Sequence, residues 1–369
     1  MRLDFRFAII SDPHIALPHT IWDHPTRFHL VEVSIPALEQ VLSQLELLDL
    51  DFLLLPGDLT QHGEPDNHAW LADRLAQLPY PVYVVPGNHD VVERQASHRS
   101  IGVAEFPGYY EKMGYDNAQQ IYYSHEIVPG VRLIGLNSND FDGEGKQLGM
   151  GHLDTEQLIW LEQTLATAQE ELILVMIHHN VLEHLPGQSK HGMGKRYMLS
   201  NANKLLQLLR AAKVPLIFTG HLHVQDIAHA DGIYEITTGS LVSYPHPYRV
   251  LHFYQDDHGQ RWLKVESDRV VAVPDFPDLQ QLSREWMGDR SFHFMFKLLS
   301  QPPLNLSIAE AEALAPALRY FWAEIANGDA LFDFAHFPDS VRRYLKTFSA
   351  IDMAGNPRQI DNQALLNIS

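Results

Sequence analysis

Cysteine is absent from this chain. That excludes a disulfide framework, a thiolate metal site and a cysteine nucleophile, so any bound metal must be held by histidine nitrogen and by carboxylate or amide oxygen. Positive charge is scarce as well: Lys and Arg total 27 against 46 Asp and Glu, a formal net charge of −19. A chain this acidic has no overall attraction for polyanions, so no nucleic-acid partner is expected, although a local basic cleft is compatible with the sum. No apolar run approaches the ~18 residues that span a bilayer, so no membrane partner is expected either. The opening segment MRLDFRFAIISDPH is too short and too charged for a secretory leader, which makes a cytoplasmic location the default expectation. Internal repeats, low-complexity tracts, P-loops, G-x-S-x-G and HExxH are all missing. The glycine-rich stretch Gly143 to Gly151 has neither the order nor the placement of a dinucleotide fingerprint.

The composition is otherwise ordinary for a globular protein, with 45% hydrophobic and 20% charged residues over 369. That length allows one large α/β core with a smaller appendage, or two modest domains. Short apolar runs end in similar punctuation: Phe7 to Ile10 before Ser11-Asp12, Phe52 to Leu55 before Pro56-Gly57-Asp58, and Val82 to Val85 before Pro86-Gly87-Asn88-His89-Asp90. Leu133 to Leu136, Leu172 to Ile177 and Leu216 to Phe218 follow the same plan, ending in Asn137-Ser138, His178-His179-Asn180 and Thr219-Gly220-His221. Such runs read as strands buried on both faces. Helical periodicity separates them at Pro36 to Leu48, Asp154 to Gln169 and Asn201 to Ala212. Alternation of this kind predicts βαβ crossovers and a covered sheet, with polar residues at the strand ends where open α/β sheets place their sites. From Gly232 strand-like runs return, with Asp257-His258-Gly259 as a hairpin turn. After Pro274 the chain reads as mainly helical, with a capping-box pattern at Ser307 and Glu310 and a helix stop at Asn327-Gly328. The expected division is 1–274 for the α/β unit and 275–369 for a C-terminal helical extension.

The polar strand ends carry the chemistry. Asp12 and His14, Asp58, Asn88 and His89, His178 and His179, and His221 and His223 each supply hard or borderline metal ligands. Each group alone has an ordinary explanation: a turn, a core histidine beside a surface one, a solvated pair. Gly220-His221-Leu222-His223 is the stronger motif, since alternate residues of an extended segment point the same way. Recurrence at successive strand ends is what an ordinary reading leaves unexplained, and glycine beside several of them permits backbone geometries that let side chains converge.

Asp12-x-His14, Gly57-Asp58, Gly87-Asn88-His89-Asp90, His178 and Gly220-His221-x-His223 resemble the sequence blocks of the calcineurin-like metallophosphoesterases, in order, over roughly residues 5–250. Gly57 to Thr60 and the GHLH ending are most similar to class III cyclic-nucleotide phosphodiesterases and bacterial glycerophosphodiesterases. Where those often read His-His-Pro, this chain has Asn180. The resemblance implies an α/β fold, a four-layer αββα sandwich, carrying a two-metal centre of Mn, Fe or Zn. It implies Asp58 as the bridging carboxylate, with Asp12, His14 and His223 on one ion and Asn88, His178 and His221 on the other. Water between such ions is acidified and serves as nucleophile on a phosphoester. The implied role of His89 is to protonate the leaving alkoxide or steady phosphoryl charge. Asp90 is a candidate to orient that ring, or alternatively a cap.

Substrate contacts are expected from His179, which follows the ligand on its strand, and from His191 and Lys195 in the locally basic segment Pro186 to Met198 that also holds Lys190 and Arg196. Trp22 among His19, His24 and Arg27 is a candidate pocket floor. The expected partner is a small phosphodiester, cyclic nucleotide or glycerophosphodiester. The alternatives are a phosphomonoesterase or nuclease of the same family, and a silent scaffold. The many aromatics of 275–369 are expected to pack on the sandwich, to form a homo-oligomer interface, or to cap the cleft.

Overall fold

A computed structural model of the chain describes residues 2–22, 27–352 and 354–368. Two six-stranded mixed sheets form its centre. The first has the order β12-β11-β10-β1-β2-β3, with β1 Asp4–Ile9, β2 Phe52–Leu55, β3 Val82–Val84, β10 Pro247–Gln255, β11 Arg261–Arg269 and β12 Gln363–Asn367. The second has the order β4-β5-β6-β7-β9-β8, with β4 Tyr123–Val128, β5 Val131–Gly135, β6 Leu172–Met176, β7 Leu216–Thr219, β8 Asp226–Ala230 and β9 Ile233–Thr237. β1, β2 and β3 are parallel, as are β5, β6, β7 and β9.

The helices are α1 Ser34–Leu45, α2 Pro65–Leu75, α3 Phe106–Tyr109, α4 Thr155–Thr167, α5 Gly192–Lys195, α6 Ala202–Ala211, α7 Leu279–Ser300, α8 Ile308–Leu314, α9 Phe321–Asn327 and α10 Asp339–Lys346. Among the described residues, no helix is long and apolar enough to cross a membrane.

The layering follows from which strands are apolar on both faces. β2 (FLLL), β6 (LILVM) and β7 (LIFT) are buried at every position, so each needs cover on both sides. Between the sheets, Phe7 stacks on Phe52 at 4.8 Å and meets Phe218 of the second sheet edge-on at 5.5 Å. α1 buries Leu38, Val41, Leu42 and Leu45, a stripe at helical spacing, in the same core. Leu161 of α4 and Leu205 and Leu209 of α6 join Ile173, Val175 and Ile217 in a second core. This gives the expected αββα order. The Asp154 cap of α4 accepts the Gln157 N–H, and Ser307 and Glu310 complete both halves of the capping box of α8.

The chain after Pro274 is mainly helical but does not end so. α7, α8 and α9 share a core in which Met287, Met295, Leu299 and Phe321 pack with Leu222 and Val224, the residues flanking His223. The last residues then return to the first sheet, where β12 pairs antiparallel with β11, Trp262 opposite Asn367. Buried Arg249 fastens this return, donating to the Asp361 carbonyl, to the Thr237 carbonyl of the second sheet and to the Ser267 hydroxyl. Sequence reading did not anticipate β12. Its five residues carry one buried side chain, too weak a period-2 signal to separate from a tail.

Candidate metal centre

Parallel pairing continues past the strand ends. His14 N–H donates to the Asp58 carbonyl (3.0 Å), Ile15 N–H to that of Leu59 (2.9 Å), and Gly220 N–H to that of His178 (3.2 Å). The polar strand ends are thereby drawn into one cleft at the carboxyl edge of both sheets. Asp12, His14, Asp58, His221 and His223 all occupy the left-handed region, with φ of 48°, 41°, 50°, 65° and 58°. That conformation is uncommon outside glycine and asparagine. Its concentration in one cleft marks a place where function dictates the backbone. The glycines act mainly through the missing Cβ: at Gly87 a Cβ would lie 2.2 Å from Asp58 Oδ1, and at Gly220 it would lie 2.3 Å from Asp12 Oδ2.

Two sets of donors meet at Asp58. Its Oδ2 is 3.3 Å from His178 Nε2 and 3.7 Å from His14 Nε2. On one side His14 Nε2 and His223 Nε2 approach to 3.4 Å, and His223 Nε2 lies 3.1 Å from Asp12 Oδ1. On the other, His178 Nε2 is 3.2 Å from Asn88 Oδ1 and 3.1 Å from His221 Nδ1. The opposite ring nitrogens are already committed. His178 Nδ1 donates to the Pro56 carbonyl at 2.8 Å and His221 Nε2 to that of Arg196 at 3.1 Å. A carbonyl accepts only, so each ring carries its proton there and turns a lone pair inward, the orientation usual for metal-ligating histidine.

Electrostatics agree. Burial first, then the neighbouring imidazoles, holds His14 and His221 well below the usual histidine value, so both stay neutral. Burial would raise Asp58, but the facing imidazoles, His178 foremost, pull it well below the carboxylate range. Burial would lower His178, and the Asp58 charge outweighs it, lifting that ring to about 9, so a cation bound beside Asp58 would have to displace the Nε2 proton before that lone pair is free. Inward lone pairs around a shared carboxylate fit divalent cations, and the groups Asp12/His14/Asp58/His223 and Asp58/His178/His221 each have the spacing to hold one.

Two expected roles are corrected. Asp90 does not hold the His89 ring. Its carboxylate accepts from the N–H groups of Gly87 (2.7 Å), Leu59 (3.1 Å) and Thr60 (2.8 Å), and so ties the loop after β2 to the loop after β3. The His89 ring is set instead by Nδ1–H donation to the Gln61 carbonyl (2.8 Å), and its backbone N–H donates to Asp58 Oδ1 (2.8 Å). Lys195 is exposed and outside the cavity wall, where Arg196 stands in its place with His191 and His179. Trp22 also borders the cavity, whereas His24 lies outside the described residues. His179 is buried with Nδ1 on the Ser138 hydroxyl (2.8 Å), and burial then His178 push it down to about 3.

Sequence reading missed His29. Its ring stacks on His14 (4.2 Å, 21°) and lies 4.8 Å from that of His223. A ligating nitrogen of each of these rings falls within one metal-sized group, and His29 Nδ1 is buried without a hydrogen-bond partner. No motif marks it; it stands alone in the connection between β1 and α1.

Beneath the second set, Glu235 on β9 supports the turn that carries His178. Its carboxylate accepts from Val181 N–H and Thr219 Oγ1 and receives Asn180 Nδ2, which stands where relatives of the motif often have proline. His184 bridges Glu235 Oε1 (3.0 Å) and Asp226 Oδ2 (2.6 Å). Burial would lower His184, but Glu235 and Asp226 raise it to about 10. A raised histidine contributes stability fully below its unfolded value, near 6.5, and loses it as pH climbs through the folded value. Thermal stability is therefore expected to fall between about pH 6.5 and 10. His184→Gln should flatten that slope, whereas Glu235→Ala, which strands a buried charge, should cost about 3–5 kcal/mol. An unchanged pH slope in His184→Gln would remove this triad from the account.

Comparison with known proteins matches residues 5–225 to the calcineurin-like phosphoesterase family model. A probable glycerophosphodiester phosphodiesterase of Arcobacter nitrofigilis is 26% identical over 189 residues, 47% of this chain and 56% of that protein, so the chain spans little more than half of that relative's length. A probable cyclic nucleotide phosphodiesterase of Moraxella catarrhalis is 26% identical over 237 residues, 61% of this chain and 78% of that one. In fold, the crystal structure of a dimetal phosphatase from Danio rerio matches 71% of this chain and 95% of its own with a TM-score of 0.51 at 16% identity. With more than half its length matched by the family model, and with the family's sequence blocks converging on one shared carboxylate, the chain belongs to the calcineurin-like phosphoesterases.

Proposed function

We propose that this protein is a dinuclear-metal hydrolase that cleaves phosphodiester bonds of small substrates. The observation that carries the reading is the pair of donor sets sharing Asp58. One ion takes Asp12, His14, His223 and Asp58; the other takes Asp58, Asn88, His178 and His221. The nitrogen and oxygen donor set suits Mn, Fe or Zn. When bound, such a pair supplies Lewis acidity for the phosphoryl group and a water acidified toward neutral pH.

The chain's own residues do the rest. With Nδ1 fixed on the Gln61 carbonyl, the His89 ring borders the cavity, and its role is to pass a proton from Nε2 to the leaving alkoxide. His179 and His191 contact the substrate from the cavity wall. Asp90 keeps the two ligand loops in register. The curated relatives named as phosphodiesterases support a diester over a monoester.

His29 belongs with the first ion. Its replacement by Ala is expected to weaken that ion by about 10–100-fold, the cost typical for partners of a metal site, and to leave the second ion unaffected. An equilibrium Mn²⁺ titration read by electron paramagnetic resonance separates the two, and unchanged affinity at both would deny His29 this place.

The substrate test compares bis(p-nitrophenyl) phosphate with p-nitrophenyl phosphate on metal-stripped protein given Mn²⁺. Preference for the diester is expected. Preference for the monoester would make the protein a phosphatase, and no turnover of either with two ions bound would make it a selective binder or a silent scaffold.

A further inference from the structure

The cleft is roofed. A cavity of about 720 Å³ has Asp58, Asn88, His89, His221 and His223 at one end. The C-terminal helices line the same cavity with Phe294, Met295, Leu298, Phe321, Trp322 and Ile325. Leu185 and Leu222, from the loops after β6 and β7, extend the apolar surface toward the metal ligands. The roof is held in place independently of any ligand. Trp286 of α7 donates to the Phe28 carbonyl (3.2 Å), and the α7–α9 core closes on Leu222 and Val224. One cation borders both kinds of surface: the Arg196 guanidinium lies over Tyr197 (4.6 Å) and Phe294 (5.8 Å), and its main-chain carbonyl accepts from His221.

A volume of this size is that of a small-molecule site, and such sites match the polarity of their walls to the ligand. Polar side chains such as Gln188, Ser291, Lys297 and Gln301 also border the cavity, but a diester with only polar substituents would leave its aromatic and aliphatic wall wetted. Methionine and leucine among the lining residues give a surface that adapts to a flexible chain. Building on the phosphodiesterase reading above, we infer that the substrate is a phosphodiester carrying a long alkyl or acyl chain, with its phosphate at the Asp58 end and the chain under the roof formed by α7 and α9.

The test uses the full chain reconstituted with Mn²⁺ and a series of alkyl p-nitrophenyl phosphodiesters, methyl, butyl, octyl and dodecyl, each below its micellar concentration. The leaving group is common, so only the retained chain varies. kcat/KM is expected to rise by about fourfold per added methylene while the chain still finds apolar wall, and at least about 100-fold from methyl to octyl. A series flat within about threefold, or one that falls with length, would overturn the inference while leaving the phosphodiesterase reading intact. Leu298→Gln should lower the octyl-to-methyl ratio at least about tenfold, with circular dichroism confirming the fold. Calorimetric binding of methyl-, butyl- and octylphosphonate to the unmutated protein reads the same preference without turnover. Tightening with chain length supports the chain-binding cavity even if no diester is hydrolysed, an outcome that would instead remove the phosphodiesterase reading; equal affinities would overturn the cavity's role.

Discussion

Replacing Asp58 by Asn is expected to strip the protein of both ions and to lower hydrolysis on the order of 10³-fold or more, beyond the 10–100-fold that accompanies loss of an outer-shell partner. The reason is position. Asp58 Oδ2 lies within 3.3 Å of a nitrogen from one donor set and 3.7 Å of a nitrogen from the other, and it is the carboxylate common to both groups. The amide keeps the shape, and its oxygen can still accept the His89 N–H that Oδ1 accepts now at 2.8 Å. What it loses is the negative charge that holds two cations near one another against their repulsion. Metal content by atomic emission after dialysis, beside turnover, checks the result. A folded Asp58→Asn protein with two ions and undiminished hydrolysis would contradict the assignment.

His89→Ala is expected to behave oppositely toward metal. His89 belongs to neither donor group around Asp58, so both ions should remain. Turnover of a diester with an alkyl leaving group should fall by ~10²–10⁴, the usual contribution of a general acid. A diester that expels p-nitrophenolate needs no proton at the leaving oxygen and should lose far less. This leaving-group dependence distinguishes proton delivery from a structural role, because a damaged site would slow both substrates alike. Parallel losses, or loss of metal, would show that His89 acts otherwise. Its orientation comes from the Gln61 main-chain carbonyl, so Asp90→Asn should disturb loop packing rather than abolish the leaving-group effect.

The central strands, and the gathering of polar residues at their ends, were legible because their signals are local. β2 matches its apolar run at both ends, and the loops bearing Asp58, His178 and His221 follow strands whose every side chain is buried. β4 and β8 were not legible, since YSHEIV and DIAHA are edge strands with mixed exposure and no apolar run. His29 escaped because its membership depends on a fold that stacks it on His14 from across the β1–α1 connection. Of the two readings of Asp90, the contact with His89 rested on nearness in sequence, whereas burial offered the carboxylate three backbone donors, closer to the capping alternative. A basic segment likewise shows that a cation is near the cleft but not which one faces it. Lys195 and Arg196 at the end of α5 are both exposed, and of the two it is Arg196 that borders the cavity.

The most direct test of the central claim is a titration of metal-stripped protein with Mn²⁺, counting bound ions while following bis(p-nitrophenyl) phosphate hydrolysis in the same sample. Two ions per chain are predicted, with turnover appearing as the second is taken up. Saturating activity with a single ion, or hydrolysis by the metal-free chain, would contradict a dinuclear centre built on Asp58.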